Sequence, residues 1–518
     1  MAKGLLSKIL HISSWRINFF GALFISAILW FLSLPPYGIS VLSVLAFAFP
    51  LIFLHNTELK KILFYAPIFT TIFEFSSYWW IAPVISKYGS IPFYLALALT
   101  LLLSFYLGIY LFLFYFGMKI FLNKYGISGL AFAPLLYTVL EWLKGSLFGG
   151  FPWWGLGYSI SMNDYLLQSA RFFGIYGLSF LGMMLVVSLC FLVISRKEIF
   201  SLFFSSLTLL ILFFSFVDGY FYSRKEIKKG ETFAVGFIQP NIPQDRKWDP
   251  QFRNEIMKNM EDLSLSLEKE CLDILVMPES STPVEWGYDK EFDEKLVKIA
   301  KQTNSNLVFG TVFEDENGIY NGAVVLNREG QKVADYKKTH LVPFGEYVPM
   351  HKTLSFISPI VESSASFQKG ASLDPIEIEG KKIGISICYE TIFPNLIRKQ
   401  VKNGAELLVN LSNDAWYIGT PALMQHFLID RVRCVENKRY LVRSANGGVS
   451  AVVNCNGRIE STAEIKNPSA SFGEVRLVSE KTFYCKWGDF YILVFSAILL
   501  LGFFVKEVKG INNLLLIF

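Results

Sequence analysis

Three residues of reactive type each follow a short apolar segment in the C-terminal half of the chain. Glu279 ends "LDILVMPE", Lys338 follows "KVADYK", and Cys388 ends "KIGISIC". A thiol becomes a nucleophile when it loses its proton, which a nearby carboxylate can accept and a nearby ammonium favours. Attack on an ester or amide then develops an oxyanion, which an ammonium and the backbone N–H after the cysteine can stabilise. These residue types suffice for acyl transfer through a thioester, and that chemistry requires no metal or organic cofactor.

Each of the three residues also has a simpler interpretation. Glu279 could cap a helix, Lys338 could be a surface lysine, and Cys388 could be a buried thiol, since free cysteine is among the most buried residue types. Three reactive types at three successive strand ends are harder to explain in this way, because sites in α/β sheets are built at strand ends. We therefore expect the three side chains to meet in one site.

The elements that must position these residues form an alternating pattern. From Glu231 onward, apolar segments such as "TFAVGFI", "NLVFGTVFE" and "AELLVNLS" alternate with amphipathic segments such as "DPQFRNEIMKNMEDLSLSLEKE". Short apolar segments predict strands, and apolar residues at a spacing of three and four predict helices. The pattern predicts an α/β layered domain, and about 265 residues are enough for one large core.

The N-terminal half has a different composition. The chain of 518 residues is 53% hydrophobic, which is too apolar for an ordinary soluble protein. Only 18 of its 91 charged residues lie before residue 223. This distribution predicts a membrane-embedded N-terminal half and a water-exposed C-terminal half. The net charge of +5 is modest, and no long basic segment indicates a nucleic-acid partner.

Eight apolar segments are about long enough to cross a membrane as helices. They lie near 17–34, 39–54, 62–83, 90–118, 126–143, 174–195, 199–217 and 489–505. Lysine and arginine fall in every second loop, which places those loops in the cytoplasm: Lys3, Lys8, Arg16, Lys60, Lys61, Lys119, Lys124, Arg196, Lys197, Lys506 and Lys509. The predicted organisation is a seven-span bundle over 1–220, a catalytic domain over 221–487 on the periplasmic side of a bacterial membrane, and a C-terminal span with a cytoplasmic tail over 488–518.

Two features of the membrane half leave alternatives open. Glu74 lies inside the third span, and an intramembrane carboxylate indicates a functional site by default. It stands alone in the sequence, however, and we find no internal repeat of the kind common in transporters. The loop "LFGGFPWWGLGYS", from Leu147 to Ser159, is either an aromatic belt at the membrane surface or a rim that admits a lipid tail to the outer domain.

The other cysteines and the histidines give no metal signature. The chain has six cysteines without a CxxC pair and five histidines without an HExxH motif, which argues against a zinc or thioredoxin-like site. We interpret His340 and His426 as structural, and the sequence alone pairs none of the cysteines in a disulfide.

The residues around the three candidates resemble the carbon–nitrogen hydrolase (nitrilase) superfamily. The resemblance covers roughly 233–475 and includes "PES", "YKKTHLVPFGEYVP", "CYE", "NLSNDAW" and "RVRCVENKRYLVRSANGGVSAVV". With eight spans, and with "FPWWGLGYS" and "IPQDRKW", the chain is similar to one branch, the apolipoprotein N-acyltransferases. Ile418 before Gly419 departs from that branch's pattern and puts the shape of this loop in question.

The resemblance implies a membrane bundle joined to an αββα sandwich, and an enzyme with a ping-pong mechanism. Cys388 would take a fatty acyl chain from a membrane phospholipid, often phosphatidylethanolamine. It would pass the chain to the N-terminal amine of the S-diacylglyceryl-cysteine of an apolipoprotein. Glu279 would act as general base and acid, and Lys338 would hold the oxyanion. We expect a monomer as the simplest assembly.

The resemblance also implies a supporting set of residues. Glu346 would orient Lys338, Tyr389 would line the site with its N–H towards the oxyanion, and Glu390 would brace the turn after the nucleophile. Two tryptophans, Trp248 and Trp416, would lie near the path of the acyl chain. A lid is expected in "TLSFISPIVESSASF", from Thr353 to Phe367, unless this segment is an ordinary surface loop.

Two rival functions remain at this point. A membrane-tethered amidase or nitrilase would use the same triad with water as the acceptor. A transporter with an outer binding domain would not depend on Cys388. The eight-span platform favours acyl transfer, because two membrane-anchored substrates gain effective concentration when they are held in one plane.

Overall fold

The computed structural model describes residues 18–225, 230–347 and 367–504. Five of the lysines and arginines that set the predicted orientation lie outside these ranges, as do residues 353–366 of the expected lid: Lys3, Lys8, Arg16, Lys506 and Lys509.

The N-terminal part is a bundle of apolar helices. The helices are α1 (Phe19–Ser33), α2 (Val41–Leu54), α3 (Leu59–Tyr78), α4 (Ile81–Tyr88), α5 (Phe93–Tyr125), α6 (Ala133–Lys144), α7 (Leu156–Ser161), α8 (Asp164–Leu167), α9 (Ala170–Ile194) and α10 (Ile199–Ser223). A 3₁₀ segment, Gly126–Phe132, joins α5 to α6. Asn18 starts α1, because its side-chain oxygen accepts the Gly21 N–H at 2.9 Å and so satisfies a free donor of the first turn.

Several of these helices can cross a membrane by length and composition. Within the described ranges, three apolar helical segments reach that length: Phe93–Lys144, Ala170–Ile194 and Ile199–Ser223. Three shorter apolar helices, Phe19–Ser33, Val41–Leu54 and Phe490–Phe504, lie where further spans are expected. The membrane character of the N-terminal half is therefore confirmed, and the number of eight spans stays a prediction.

The C-terminal domain contains two six-stranded sheets. The first has the order β12-β1-β2-β3-β4-β5, and the second has the order β11-β10-β9-β8-β7-β6. The strands are β1 (Thr232–Gln239), β2 (Ile274–Val276), β3 (Asn306–Asp315), β4 (Gly318–Leu326), β5 (Lys332–Lys337), β6 (Ile376–Ile378), β7 (Lys381–Ile387), β8 (Leu407–Asn413), β9 (Leu441–Asn446), β10 (Ala451–Val453), β11 (Ile459–Thr462) and β12 (Ser469–Arg476).

The strands of each sheet that precede the three candidate residues run in the same direction as their parallel neighbours. In the first sheet β1, β2 and β3 are parallel, and β5 runs the same way because it is antiparallel to β4, which is antiparallel to β3. In the second sheet β7, β8 and β9 are parallel. Each set of parallel strands therefore delivers the residues after its strands to one edge of its sheet.

Helices cover the outer faces of the two sheets, as predicted. These are α11 (Arg253–Leu265), α12 (Lys290–Thr303), α13 (Pro394–Lys402) and α14 (Ala422–Asn437). Two further helices, α15 (Phe483–Trp487) and α16 (Phe490–Phe504), follow β12 in the chain. Ile383, Ile385 and Ile387 of β7 point between the sheets and pack with Val235 and Phe237 of β1. Met257 and Met260 of α11 pack on the opposite face of the first sheet. The αββα sandwich is confirmed.

The bundle and the sandwich are in direct contact through α14. The Arg433 guanidinium donates to the Tyr158 hydroxyl at 2.7 Å, and Glu436 accepts the Ile175 backbone N–H at 2.8 Å. Arg433 and Glu436, which both belong to α14, are buried. Buried polar groups cannot bond to water and must form hydrogen bonds within the protein. Here the bundle supplies such partners.

Candidate active site

The three reactive residues lie at strand ends but not at successive ones. Glu279 follows β2 by three residues, Lys338 follows β5 directly, and Cys388 follows β7 directly. The first two belong to one sheet and Cys388 belongs to the other. The prediction of three successive strands was wrong, because β3, β4 and β6 intervene. The site is built instead between the corresponding edges of the two facing sheets.

Glu279 and Lys338 form the centre of a buried polar network. Lys338 Nζ donates to Glu279 Oε1 at 3.1 Å and to Glu346 Oε1 at 2.8 Å. Asn321 Nδ2 donates to the same two oxygens, at 2.9 and 2.7 Å. The second oxygen of Glu346 accepts the Val342 backbone N–H at 2.8 Å. The expected position of Glu346 beside Lys338 is thus observed, and both carboxylates have well-formed partners.

A glycine on the neighbouring strand allows Glu279 to reach this position. A Cβ at Gly310 of β3 would come within 2.6 Å of Glu279 Cα and of the Pro278 carbonyl oxygen. Backbone hydrogen bonds tie this crossing together, from Ser281 N–H to Gly310 O at 2.8 Å and from Gly310 N–H to Pro278 O at 3.2 Å. Glu279 is therefore held by the backbone of β3 as well as by its own side-chain contacts.

Cys388 lies at a sharp turn between β7 and a 3₁₀ segment, Cys388–Ile392. Its φ of +49° is in the left-handed region, which costs a non-glycine residue about 1–2 kcal/mol. Glu390 stabilises the turn, because it accepts the Ile387 N–H at 2.8 Å, the Thr339 N–H at 2.6 Å and the His340 N–H at 3.0 Å. Glu390 therefore ties the nucleophile turn to the segment that follows Lys338.

The charges of the site set the protonation of Glu279 and Cys388. Burial raises the pKa of the Glu279 carboxyl, but the Lys338 charge, the Asn321 hydrogen bond and the Lys247 charge outweigh it and hold the pKa below its ordinary value. Burial and the Glu279 charge raise the pKa of the Cys388 thiol, and Lys338 acts against them. The resting site therefore holds an ionised carboxylate beside a neutral thiol, which is the arrangement of a base and its nucleophile before reaction.

A second buried network lies behind Cys388. His426 Nε2 donates to the Cys388 carbonyl oxygen at 3.2 Å, and His426 Nδ1 lies 3.0 Å from Asp414 Oδ1. Arg443 Nη2 donates to Asp414 Oδ2 at 2.6 Å, and Arg443 is also paired with Asp430. His426 is thus a partner of the nucleophile turn, which agrees with its interpretation as structural. Within the described ranges, no group of three or more His, Cys, Asp or Glu side chains is arranged to hold a metal ion.

Sequence reasoning missed two residues that contact Glu279. Asn321 lies on β4 and donates to both carboxylates of the centre. Lys247 is buried after β1, and its Nζ donates to the Glu279 carbonyl oxygen at 2.9 Å. A polar Asn321 inside the apolar strand "IYNGAVVL" was a usable signal. Lys247, in "IPQDRKW", gave no signal of a buried contact, because a lysine in a polar loop normally faces solvent.

Two of the expected residues, Trp416 and Tyr389, contact the bundle. Trp416 is about one-third exposed and packs edge to face on Tyr88 of α4, with ring centroids 4.8 Å apart. Trp248 is about half exposed. Tyr389 is buried, and its hydroxyl donates to the Gly150 carbonyl oxygen at 3.5 Å. Tyr389 therefore links the nucleophile turn to the aromatic loop of the bundle.

The structure corrects the prediction that Glu74 is alone. Glu74 of α3 lies 3.7 Å from Lys144 Nζ, and both side chains are buried. Glu141 of α6 lines the same cavity within the bundle. A Cβ on Gly155 would come within 1.5 Å of Glu141 Oε1, so a larger residue at this point of the aromatic loop would displace the Glu141 carboxylate. The intramembrane carboxylates thus lie directly under the loop that contacts Tyr389.

Comparison with known proteins agrees with this architecture. Residues 26–189 match the apolipoprotein N-acyltransferase N-terminal domain, and residues 235–478 match the carbon–nitrogen hydrolase family. The chain is similar to the apolipoprotein N-acyltransferase of Geobacter metallireducens, with 33% identity over 90% of this chain and 91% of the relative. For the enzyme of Shewanella oneidensis the identity is 31% over 83% and 84%.

Among solved structures, the sandwich resembles an amidase from Nesterenkonia sp. AN1, at 17% identity and a TM-score of 0.35, over 49% of this chain and 94% of that chain. The two matched domains and the relatives aligned over most of their length show the family. The two matched domains place an apolar helical bundle before a carbon–nitrogen hydrolase domain, and the fold has the same order. The chain is therefore a membrane protein that belongs to the apolipoprotein N-acyltransferase family.

Proposed function

We propose that the chain transfers a fatty acyl group from a membrane phospholipid to the N-terminal amine of an S-diacylglyceryl-cysteine in an apolipoprotein. Cys388 would carry the acyl group as a thioester between the two half-reactions. The observation that carries this proposal is the position of Cys388 in a strained turn beside the ionised Glu279, with Lys338 held between two carboxylates. These are a nucleophile, a base and an oxyanion partner in one buried site.

In the first half-reaction the Cys388 sulfur attacks the ester carbonyl carbon of the phospholipid. Glu279 takes the thiol proton, the C–S bond forms, and the oxyanion faces Lys338 and the Tyr389 backbone N–H. This N–H lies in the first turn of a 3₁₀ segment, where donors have no partner inside the helix. The C–O bond then breaks, and Glu279 returns the proton to the lysophospholipid oxygen.

In the second half-reaction the neutral amine of the acceptor attacks the thioester carbon. Glu279 takes a proton from the amine, the C–N bond forms, and the C–S bond breaks. The proton then returns to the Cys388 sulfur, which regenerates the resting thiol. Glu346 and Glu390 hold Lys338 and the turn in place through both steps, as their hydrogen bonds indicate.

The membrane bundle favours transfer over hydrolysis. Both substrates carry lipid chains, and a bundle under the site would present them in the plane of the membrane. We propose phosphatidylethanolamine as the donor, a monomer as the active unit, and the bacterial inner membrane with the domain over 221–487 on the periplasmic side. Trp248 and Trp416, both partly exposed, would border the path of the acyl chain.

The acceptor specificity can be tested directly. Purified enzyme is mixed with phosphatidylethanolamine and a synthetic peptide that starts with S-diacylglyceryl-cysteine, and the same peptide with an acetylated α-amine is the matched control. We expect one added acyl mass on the free peptide and none on the acetylated one. Release of free fatty acid at the same rate with either peptide would instead assign water as the acceptor.

A further inference from the structure

Lys247 is a buried cation at the centre of the site. It lies in the segment that follows β1, and its side chain is 1% exposed. Nζ donates to the Glu279 backbone carbonyl oxygen at 2.9 Å. Lysine is almost never fully buried without a partner, because desolvation of the ammonium is costly. Its burial here therefore calls for a negative charge nearby.

The neighbouring charges are those of the reacting groups. The Lys247 charge lowers the pKa of the Glu279 carboxyl, and in turn the Glu279 carboxylate and the Cys388 thiolate favour the charged form of Lys247. Lys338 lies on the other side of Glu279, where Glu346 shares its hydrogen bonds. Glu279 thus has a lysine at its carboxylate and another at its backbone.

Negative groups outnumber positive ones around this centre. The buried carboxylates are those of Glu279, Glu346, Glu390, Asp414 and Asp430. The lysine and arginine side chains in the described part of the site are Lys338, Lys247 and Arg443, of which Lys338 and Arg443 each form ion pairs with two carboxylates.

The remaining titratable groups that face the centre add little charge. Burial lowers the pKa of His340 to about 4 and raises the pKa of the Tyr389 and Tyr417 phenols, so these three are neutral at pH 7. His426 Nδ1 lies 3.0 Å from Asp414 Oδ1, on the far side of the Cys388 carbonyl oxygen. Within the described contacts, Lys247 is therefore the cation that no carboxylate engages in an ion pair.

We propose that Lys247 is a positioning residue that stabilises the single negative charge shared by Glu279 and Cys388. With one proton between the two side chains, the charge lies on the carboxylate at rest and on the sulfur at attack. The Lys247 ammonium is bonded to the Glu279 backbone, and its charge favours the ionised forms of both the Glu279 carboxyl and the Cys388 thiol. This inference rests on the proposed roles of Glu279 and Cys388. Burial lowers the pKa of Lys247 itself to about 8, so its effect should fade above that pH.

The test measures the reactivity of Cys388 without any lipid. Full-length enzyme in detergent is alkylated with iodoacetamide from pH 6 to pH 10, and the Cys388 peptide is quantified by mass spectrometry with Cys388→Ala as the blank. The peptide must be followed by itself, because Cys271 is exposed and reacts independently. Wild type is compared with Lys247→Met, which removes the charge, and with Lys247→Arg, which keeps it.

We expect Lys247→Met to slow alkylation of Cys388 at least about tenfold at pH 7, the equivalent of one pKa unit, with the wild-type advantage falling towards one above pH 9. Lys247→Arg should stay close to wild type at pH 7. An unchanged rate for Lys247→Met, or a reduction by one constant factor at every pH, would overturn the proposal, since a purely structural role gives the latter. Lys247→Gln, which keeps an N–H donor for the Glu279 carbonyl, decides the question if the Met variant does not fold. Because no lipid is present, the result is independent of whether acyl transfer itself is observed.

Discussion

The indole of Trp153 stacks on the imidazole of His426, with ring centroids 5.5 Å apart and planes inclined by 23°. Trp153 belongs to the aromatic loop of the bundle, and His426 Nε2 donates to the Cys388 carbonyl oxygen at 3.2 Å. Two side chains therefore connect the membrane bundle with the nucleophile turn. The loop from Leu147 to Ser159 was expected to be either an aromatic belt or a rim beside the site. Trp153 is buried against the catalytic domain, so this residue is not part of a lipid-facing belt.

Truncation of Trp153 should lower the stability of the protein. Trp153→Ala removes the stack and a buried indole, and we expect a loss of about 3–5 kcal/mol in unfolding free energy. Trp153→Phe keeps a ring but loses the hydrogen bond to Gln425 at 2.8 Å, at a cost of about 1 kcal/mol. Thermal unfolding in detergent measures both. Equal effects of the two variants would show that the stack itself contributes nothing.

Asn321→Ala should make the enzyme more sensitive to acid. Asn321 donates to Glu279, and this hydrogen bond helps to hold the pKa of the carboxyl below its ordinary value. Without it the pKa rises, so the base is protonated at a higher pH and the acid limb of kcat/KM moves up, by about one pH unit. Asn317→Ala, in the exposed turn of the same hairpin, is the matched control. An acid limb that stays in place would rule out this role for Asn321.

Asp414→Asn should remove stability that depends on pH. Burial raises the pKa of the Asp414 carboxyl, but Arg443 and His426 outweigh it and hold the pKa below the ordinary value of 3.8. A group with a lowered folded pKa stabilises the fold above its unfolded pKa and stops doing so as the pH falls through the folded value. Breaking this buried pair costs about 3–5 kcal/mol.

The difference in Tm between wild type and Asp414→Asn should therefore be constant from pH 5 to pH 8 and shrink only below about pH 3.8, the reference pKa of the carboxyl. A difference that already disappears between pH 5 and pH 8 would contradict the assignment of a low pKa to Asp414.

Substitutions of the buried pair Glu74 and Lys144 in the bundle should have coupled effects on stability. Lys144→Met leaves Glu74 without its buried partner and should cost about 3–5 kcal/mol of unfolding free energy. The double variant Glu74→Gln with Lys144→Met should be more stable than Lys144→Met alone, since no unpaired charge remains at that pair. Lys61→Met, which breaks the exposed pair with Glu58, should leave Tm unchanged. Additive effects of Glu74→Gln and Lys144→Met would show that the two groups do not interact.

Much of the fold could be predicted from the sequence because period and composition are local properties. The isoleucines of β7 alternate with small residues, and the strand that this apolar segment predicts is observed, buried between the two sheets. Only the family resemblance predicted two sheets, because the strand pattern does not show which strands share a sheet. That is also why Glu279, Lys338 and Cys388 were expected on successive strands.

The missed contacts depend on tertiary packing. Lys247 acquires its position because the segment after β1 folds over the end of β2, and Glu74 meets Lys144 because α3 and α6 both line one cavity of the bundle. Pairs so far apart in the chain leave no local pattern. The position of Glu346 beside Lys338 was expected from the resemblance alone, and the structure places the two side chains 2.8 Å apart.

The most direct test of the account is the intact mass of the enzyme after incubation with phosphatidylethanolamine in the absence of acceptor, wild type beside Cys388→Ala. We expect wild type to gain one fatty-acyl mass that hydroxylamine removes, and Cys388→Ala to gain none. Adding the diacylglyceryl-cysteine peptide should then discharge the adduct. An equal acyl adduct on Cys388→Ala, or no adduct on a wild-type enzyme that still acylates the peptide, would contradict a thioester at Cys388.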